Sequence, residues 1–429
     1  MKRCQTIPCF LLAIVLLIPA CTVTRAKAQE IHSKLPRDLS PQVADADLAA
    51  LVSGNSDFAF ALYHQISSQD GNLFYSPYSI SIALAMTYAG AQNQTAGQMA
   101  EALHFTLPEA RLHPAFNKLA LELESRSKVE GLDPGQAFQL SVANSLWGQS
   151  AYHFEQAFLD TLAQNYAAGM RLVDYKKDAE AARLAINDWV SRSTNQKIKD
   201  IIPKGELDTL TRLVLANAVY FKAAWQNPFE PDATQPGAFH RMDGSSVDVS
   251  MMRATKNLSS MQGDGFRSVE LPYVGWSLSM WIILPDAGRF RDVESRLNAG
   301  ILDSIEEART SRIVHLTMPK FKFEWSTGLV DGLKALGMGD AFDRERADFS
   351  GMTGGRDLFI KQVLHKTFIS VDEKGTEAAA ATVVIAAPAA PGPSNEMEFT
   401  MDRPFIFLIR DNPTGTILFV GRVMNPAAG

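Results

Sequence analysis

Leu213 to Phe221 reads Leu-Val-Leu-Ala-Asn-Ala-Val-Tyr-Phe, an almost unbroken apolar run. Successive side chains of a strand point to opposite faces, so such a run needs cover on both sides. It therefore demands a layered molecule with a buried sheet. The 429 residues, 46% hydrophobic and 21% charged, can supply that core, and global disorder is excluded. Ala182, Ile186, Trp189 and Val190 form a helical stripe. Further helices are expected near 46–67, 78–91, 95–105, 112–126, 154–168, 291–307 and 325–337. Strands are expected at 139–147, 267–272, 278–284, 312–323, 358–371, 404–410 and 416–423. Helices early and strands late read as α+β rather than alternating β/α units. With no internal repeat and no natural break, one large domain is expected.

The N-terminus carries Lys2 and Arg3, then an apolar run from Cys9 to Ala20. That run is shorter than the roughly 20 residues a membrane span needs. Residues 1–28 read as a secretory signal peptide, with Ala26-Lys27-Ala28 as one cleavage signal. Ile18-Pro19-Ala20-Cys21 is the alternative, resembling a lipoprotein box that would leave Cys21 lipidated. The expected location is secreted, in an extracellular space or periplasm, or anchored to the cell envelope through Cys21. All three cysteines (Cys4, Cys9, Cys21) lie in this leader. The exported part has no thiol, so neither a disulfide nor a Cys/His zinc cluster can form in it. Residues 29–45 are polar, with two prolines, and read as a flexible linker before a domain at 46–429.

The net charge is −6, and removing residues 1–28 leaves 37 basic against 47 acidic groups. This gives no reason to expect a nucleic acid or an anionic membrane as partner. There is no G-x-S-x-G, H-E-x-x-H, C-x-x-C or P-loop, and no two histidines stand at metal-ligand spacing. No metal, cofactor or catalytic residue is therefore expected, although a triad can assemble from distant residues without a local motif. The stretch Ala378–Pro393 holds eight alanines, three prolines and no charge. A linker is the default for such a composition. Its place between two expected strands points instead to a functional loop.

From Val371 the chain runs Val-Asp-Glu-Lys-Gly-Thr-Glu-Ala-Ala-Ala-Ala-Thr. This resembles the hinge of the serpin family, protease inhibitors that insert a loop into a sheet. Other segments agree in order and spacing. Asn72-Leu-Phe-Tyr-Ser76-Pro77-Tyr-Ser79 resembles the opening of the family's helix B. Leu215 to Trp225, followed by Asn227-Pro228-Phe229, resembles strand 3 of its main sheet. Leu364-His365-Lys366 resembles strand 5. Arg403-Pro404-Phe405-Ile-Phe and Gly421-Arg-Val-Met-Asn425-Pro426 resemble the C-terminal strands. The resemblance covers about 46–427. It implies a serpin fold of about nine helices and three β-sheets, with an exposed reactive-centre loop over about 374–398.

The resemblance assigns roles. Glu373, Lys374, Gly375, Thr376, Glu377, Ala378, Ala379, Ala380, Ala381 and Thr382 would form the hinge. Ser76, Ser79, Asn217 and His365 would form the shutter under the sheet, and Trp225 the breach where the loop first enters. Counting along the loop puts the reactive bond at Ala389–Ala390. Physical reasoning supports insertion. Thr376 to Ala387 contains no proline, which a central strand cannot hold. Thr376, Ala378, Ala380, Thr382 and Val384 share one small or apolar face, and Glu377 lies on the other. No Arg, Lys or aromatic residue lies between Glu377 and Phe399. The expected partner is thus a serine protease with a small S1 pocket, elastase-like or subtilisin-like. Ala96 to Phe105, at the family's heparin-binding helix, has no Lys or Arg, so heparin dependence is not expected. A monomer is expected. The alternative is a non-inhibitory serpin acting as a carrier or chaperone-like binding protein.

Overall fold

The computed structural model of the chain describes residues 28–127, 138–377 and 396–428. Among these residues there are ten α-helices: α1 (Asp45–Ile66), α2 (Pro77–Tyr88), α3 (Asn93–Ala102), α4 (Glu109–Ser125), α5 (Gln156–Tyr166), α6 (Ala179–Ser193), α7 (Phe290–Ser295), α8 (Ala299–Ala308), α9 (Val330–Ala335) and α10 (Ser350–Thr353). No helix among the described residues is long and apolar enough to cross a membrane.

The main sheet has seven strands in the order β1 (Gln29–Ile31), β4 (Met170–Val173), β3 (Gln139–Gln149), β5 (Leu213–Ala224), β13 (Gly375–Thr376), β12 (Ile360–Asp372) and β11 (Phe321–Gly328). The remaining strands form a second ladder with two lobes. One contains β14 (Glu396–Thr400), β10 (Thr310–Pro319), β7 (Ser246–Gln262) and β6 (Gln235–His240). The other contains β8 (Phe266–Pro272), β9 (Leu278–Pro285), β15 (Phe405–Asp411), β16 (Ile417–Val423) and β2 (Leu73–Tyr75). The lobes meet where Ser260, Met261 and Gln262 pair with Val269, Ser268 and Arg267. The architecture is the single-domain α+β fold that the resemblance implies, with the strands outside the main sheet joined into one ladder of two lobes.

β5 explains why the sheet needs cover on both faces. Its odd-numbered Leu213, Leu215, Val219 and Phe221 enter the larger core, with α2 and the second ladder. Its even-numbered Val214, Ala216, Ala218 and Tyr220 enter a smaller core roofed by Ala182, Ile186 and Val190 of α6 and by Ile198, Ile201 and Ile202 beyond it. The amphipathic stripe of α6 is therefore the lid of the outer face.

Three expectations are corrected. Residues 29–45 are not a free linker. β1 pairs antiparallel with β4 and completes its edge. Arg37 donates to Asn117 Oδ1 at 2.7 Å and to Glu124 at 2.7 Å, and the Asp38 N–H donates to the Gln164 carbonyl at 3.0 Å. The helix expected over 325–337 begins as the end of β11, where Phe321, Phe323 and Trp325 are buried between exposed neighbours in a period of two. The helix expected over 291–307 is split into α7 and α8. Asn298 interrupts it and caps α8, accepting from the Ile301 N–H at 3.1 Å.

Candidate functional site: a forked pair of strands

β5 and β12 run parallel and pair directly from Leu213↔Ile360 to Tyr220↔Phe368. Beyond that point they part. Gly375 and Thr376 occupy the gap, antiparallel to both neighbours. Thr376 stands opposite Ala223 on one side and Val371 on the other, and Gly375 opposite Ala224 and Asp372. Gly375 and Thr376 thus form a two-residue strand between β5 and β12.

The residues in and beside β13 are held by specific contacts. Gly375 has φ of +150°, and a Cβ there would lie 2.2 Å from the Ala223 carbonyl oxygen, so only glycine fits. Thr376 is 1% exposed and faces inward, with its hydroxyl 2.8 Å from the Tyr273 hydroxyl. Tyr273 stacks on Trp225 with ring centroids 4.7 Å apart and planes 9° from parallel. The Trp225 indole donates to the Asp372 carbonyl at 3.0 Å, and its N–H donates to the Lys374 carbonyl at 2.9 Å. Trp225 therefore pins the point where the loop leaves β12. Burial opposes ionisation of Glu373, but Lys320 at 2.7 Å and Thr234 at 2.8 Å hold its carboxyl below the usual range. Its carbonyl accepts from the Phe229 N–H at 2.8 Å. Lys374 is exposed. Glu377 lies on the outer face, paired with Lys197, in the register expected from strand alternation.

Further along, the same two strands are locked. The Ser76 N–H donates to His365 Nε2 at 3.1 Å, so Nδ1 carries the proton and donates to Asn217 Oδ1. The Asn217 amide donates to Ser79 Oγ at 2.6 Å and to Asn144 Oδ1. Ser76 also caps α2, accepting from the Ser79 N–H at 3.2 Å, while its hydroxyl donates to the Leu418 carbonyl at 2.7 Å. Pro77 follows at the first helical position, where its missing N–H costs nothing. His365 and Asn217 are fully buried. Burial lowers the His365 pKa to about 3, so the ring is neutral.

The sequence matches a family profile. The profile described as Serpin (serine protease inhibitor) covers residues 53–426. The chain is a serpin. It is 40% identical over 413 residues to an uncharacterized serpin-like protein of Thermococcus kodakarensis, covering 96% of this chain and 94% of that protein. It is 38% identical to the human leukocyte elastase inhibitor, covering 88% of this chain and 99% of that one. Among solved structures it superposes on the native thermophilic serpin tengpin with a TM-score of 0.82 and 29% identity, over 93% of this chain and 100% of that one. It also resembles human thyroxine-binding globulin complexed with thyroxine, with a TM-score of 0.78 and 28% identity, over 89% and 99% of the two chains.

The structure brings together Glu373 to Glu377 with Trp225, and separately Ser76, Ser79, Asn217 and His365. Ala378, Ala379, Ala380, Ala381, Thr382, the Ala389–Ala390 bond and Cys21 lie outside the described residues. Asn144 joins this hydrogen-bonded cluster and was missed, because its strand also carries Ser141 and Ser145 and so does not single it out. Tyr273 and Lys197 were also missed, because nothing local in the sequence announces a partner so far along the chain. Among the described residues no cluster of three or more His, Cys, Asp or Glu could hold a metal ion.

Proposed function

We propose that this serpin inhibits serine endopeptidases as a suicide substrate. The protease serine attacks the carbonyl of Ala389, and the amine of Ala390 departs as a new N-terminus. The hinge then draws the loop into the gap between β5 and β12. The acyl-enzyme ester is carried along the sheet before water can hydrolyse it. The observation that carries this reading is the seating of Gly375 and Thr376 between both strands in the register that continued insertion needs. Extending that register one residue at a time sets Thr382 between Asn217 and His365. The loop would then separate the shutter pair. About 14 residues at roughly 3.3 Å each would move the tethered protease some 45 Å.

Specificity follows from side-chain size. Ala386, Ala387, Ala389 and Ala390 offer only methyl groups near the bond, which suits the shallow S1 pocket of an elastase-like or subtilisin-like enzyme. The similarity to proteins named leukocyte elastase inhibitor supports the same class. The inhibitor acts as a monomer, exported by the leader or held on the envelope through Cys21, and needs no cofactor. An inserted hinge with small inward residues does not favour a carrier role. The test is incubation with elastase-type, subtilisin-type and trypsin-type proteases, read on a denaturing gel. An elastase-type or subtilisin-type enzyme should give a covalent complex, and the released peptide should begin at Ala390 or within three residues of it. A stable complex with trypsin, or cleavage before residue 384, would overturn the assignment.

A further inference from the structure

β13 ends at Thr376, and the chain turns out of the sheet at Glu377, although the sequence beyond Glu377, Ala378 to Ala381, is small enough to enter it. The fork closes at Tyr220 and Phe368, the last directly paired residues of β5 and β12 on that side. The Lys197 ammonium stands over both rings, 5.9 Å from the centroid of Tyr220 and 5.8 Å from that of Phe368. It also pairs with the Glu377 carboxylate. Lys197 comes from the turn after α6, in which Asn195 and Gln196 both have left-handed backbones, with φ of 50° and 61°. That turn is fixed by the Thr194 carbonyl, which accepts from the Lys197 N–H at 2.9 Å, and by the buried Ile198 beside it. Two strained residues thus aim one cation at the fork.

Glu377 is strained as well. Its N–H still donates to the Ser370 carbonyl at 2.8 Å, continuing the ladder toward β12. Its φ is +48°, which turns the chain out of the sheet. One carboxylate oxygen, Oε2, is buried without a hydrogen-bond partner. Burial first, and the Glu377 carboxylate second, push the Tyr220 phenol up to about 12, so it stays protonated beside that carboxylate. Lys322 lies over Phe368 at 5.6 Å, and Lys366 is tied to Glu324 and to the Lys199 carbonyl. Lys197 is therefore the cation that holds the Glu377 carboxylate.

We infer that Lys197 and Glu377 form a latch that stops the uncleaved loop at two inserted residues, resting on the insertion mechanism proposed above. Thr376 keeps its ladder bonds and its Tyr273 contact without the pair. Losing the pair therefore leaves the hinge seated and lets Glu377 relax to the extended backbone that insertion needs. Lys197 is a positioning residue. It sets how long the inhibitor stays armed and makes no contact with the protease.

The test uses the full chain without protease. Lys197→Met, Glu377→Gln and the double variant are warmed below the melting point. Two quantities are followed with time: the titre of active inhibitor and the fraction of intact chain that melts at higher temperature. Each single variant should convert about two- to fivefold faster than the parent, the range for an ion pair exposed on one side. The double variant should convert no faster than either single one, and Lys197→Arg should restore the parental rate. Conversion at the parental rate in both single variants, or slower conversion, overturns the latch. A parent that traps no protease and shows no higher-melting form after cleavage overturns the insertion reading itself, whatever the variants do.

Discussion

The two ends of the β5–β12 pair make opposite use of the same strands. At the upper end the strands are forked, and the seat between them is filled by Gly375 and Thr376. At the middle they are closed by a polar relay from Ser76 through His365 and Asn217 to Ser79 and Asn144. The upper end is a template with one occupant already in place. The middle is a set of bonds that a new strand would have to replace. Stability concentrated in the middle and incompleteness at the top make a sheet that is ordered yet unfinished.

The largest expected effect lies at the upper end. Thr376→Arg would bring a guanidinium into the buried seat beside Tyr273 without a partner, at a cost of several kcal/mol. The protease should still cut the loop at the same bond. Insertion would lag behind deacylation, and free active protease would be recovered in a residual-activity assay. Undiminished complex formation by Thr376→Arg would refute the register. Lys374→Glu is the matching control, because Lys374 is exposed. Glu377 cannot serve as one, since Lys197 engages it.

A second effect belongs to the middle. The His365 pKa is about 3 in the folded chain and near 6.5 when unfolded, so the unfolded chain binds more protons between those values. The relay stabilises fully above pH 6.5, and its contribution is lost as pH falls from there toward 3. Acidification from pH 7 to pH 4 should cost about 3 kcal/mol from this group alone. Urea midpoints across that window should fall with pH, and His365→Gln should flatten the fall. An unchanged slope in His365→Gln would mean that other groups carry the acid sensitivity.

The smallest effect sharpens the view of the seat. Gly375→Ala puts a methyl against the Ala223 carbonyl and strains the backbone. It should lower stability by about 1–3 kcal/mol, read as a shift of a few degrees in Tm. No shift would mean that the hinge leaves the seat at no cost.

Much of this was legible in the sequence, for identifiable reasons. The run from Leu213 to Phe221 announced a doubly buried strand, and the core divides along its alternation. The inward face of Thr376 and the outward face of Glu377 followed from a period of two. What stayed hidden was long-range. The polar segment 29–45 gave no sign that it docks on β4, α4 and α5, because its partners are more than 100 residues away in part. β6 and β7 were missed because their exposed polar residues dilute the pattern. Lys197 and Tyr273 join the site only through the packing of distant elements. Trp225, Ser76, Ser79, Asn217 and His365 were singled out through family resemblance, and their hydrogen-bond partners only through the fold.

The central claim is that the sheet lacks a strand which the loop supplies. Its most direct test is the melting temperature before and after a single cut near Ala389–Ala390. A nick in a surface loop ordinarily leaves stability unchanged or lowers it. Here the cut chain should gain ladder bonds and buried area along β5 and β12 and melt far above the intact chain. Equal melting temperatures, or a lower one after the cut, would contradict the account.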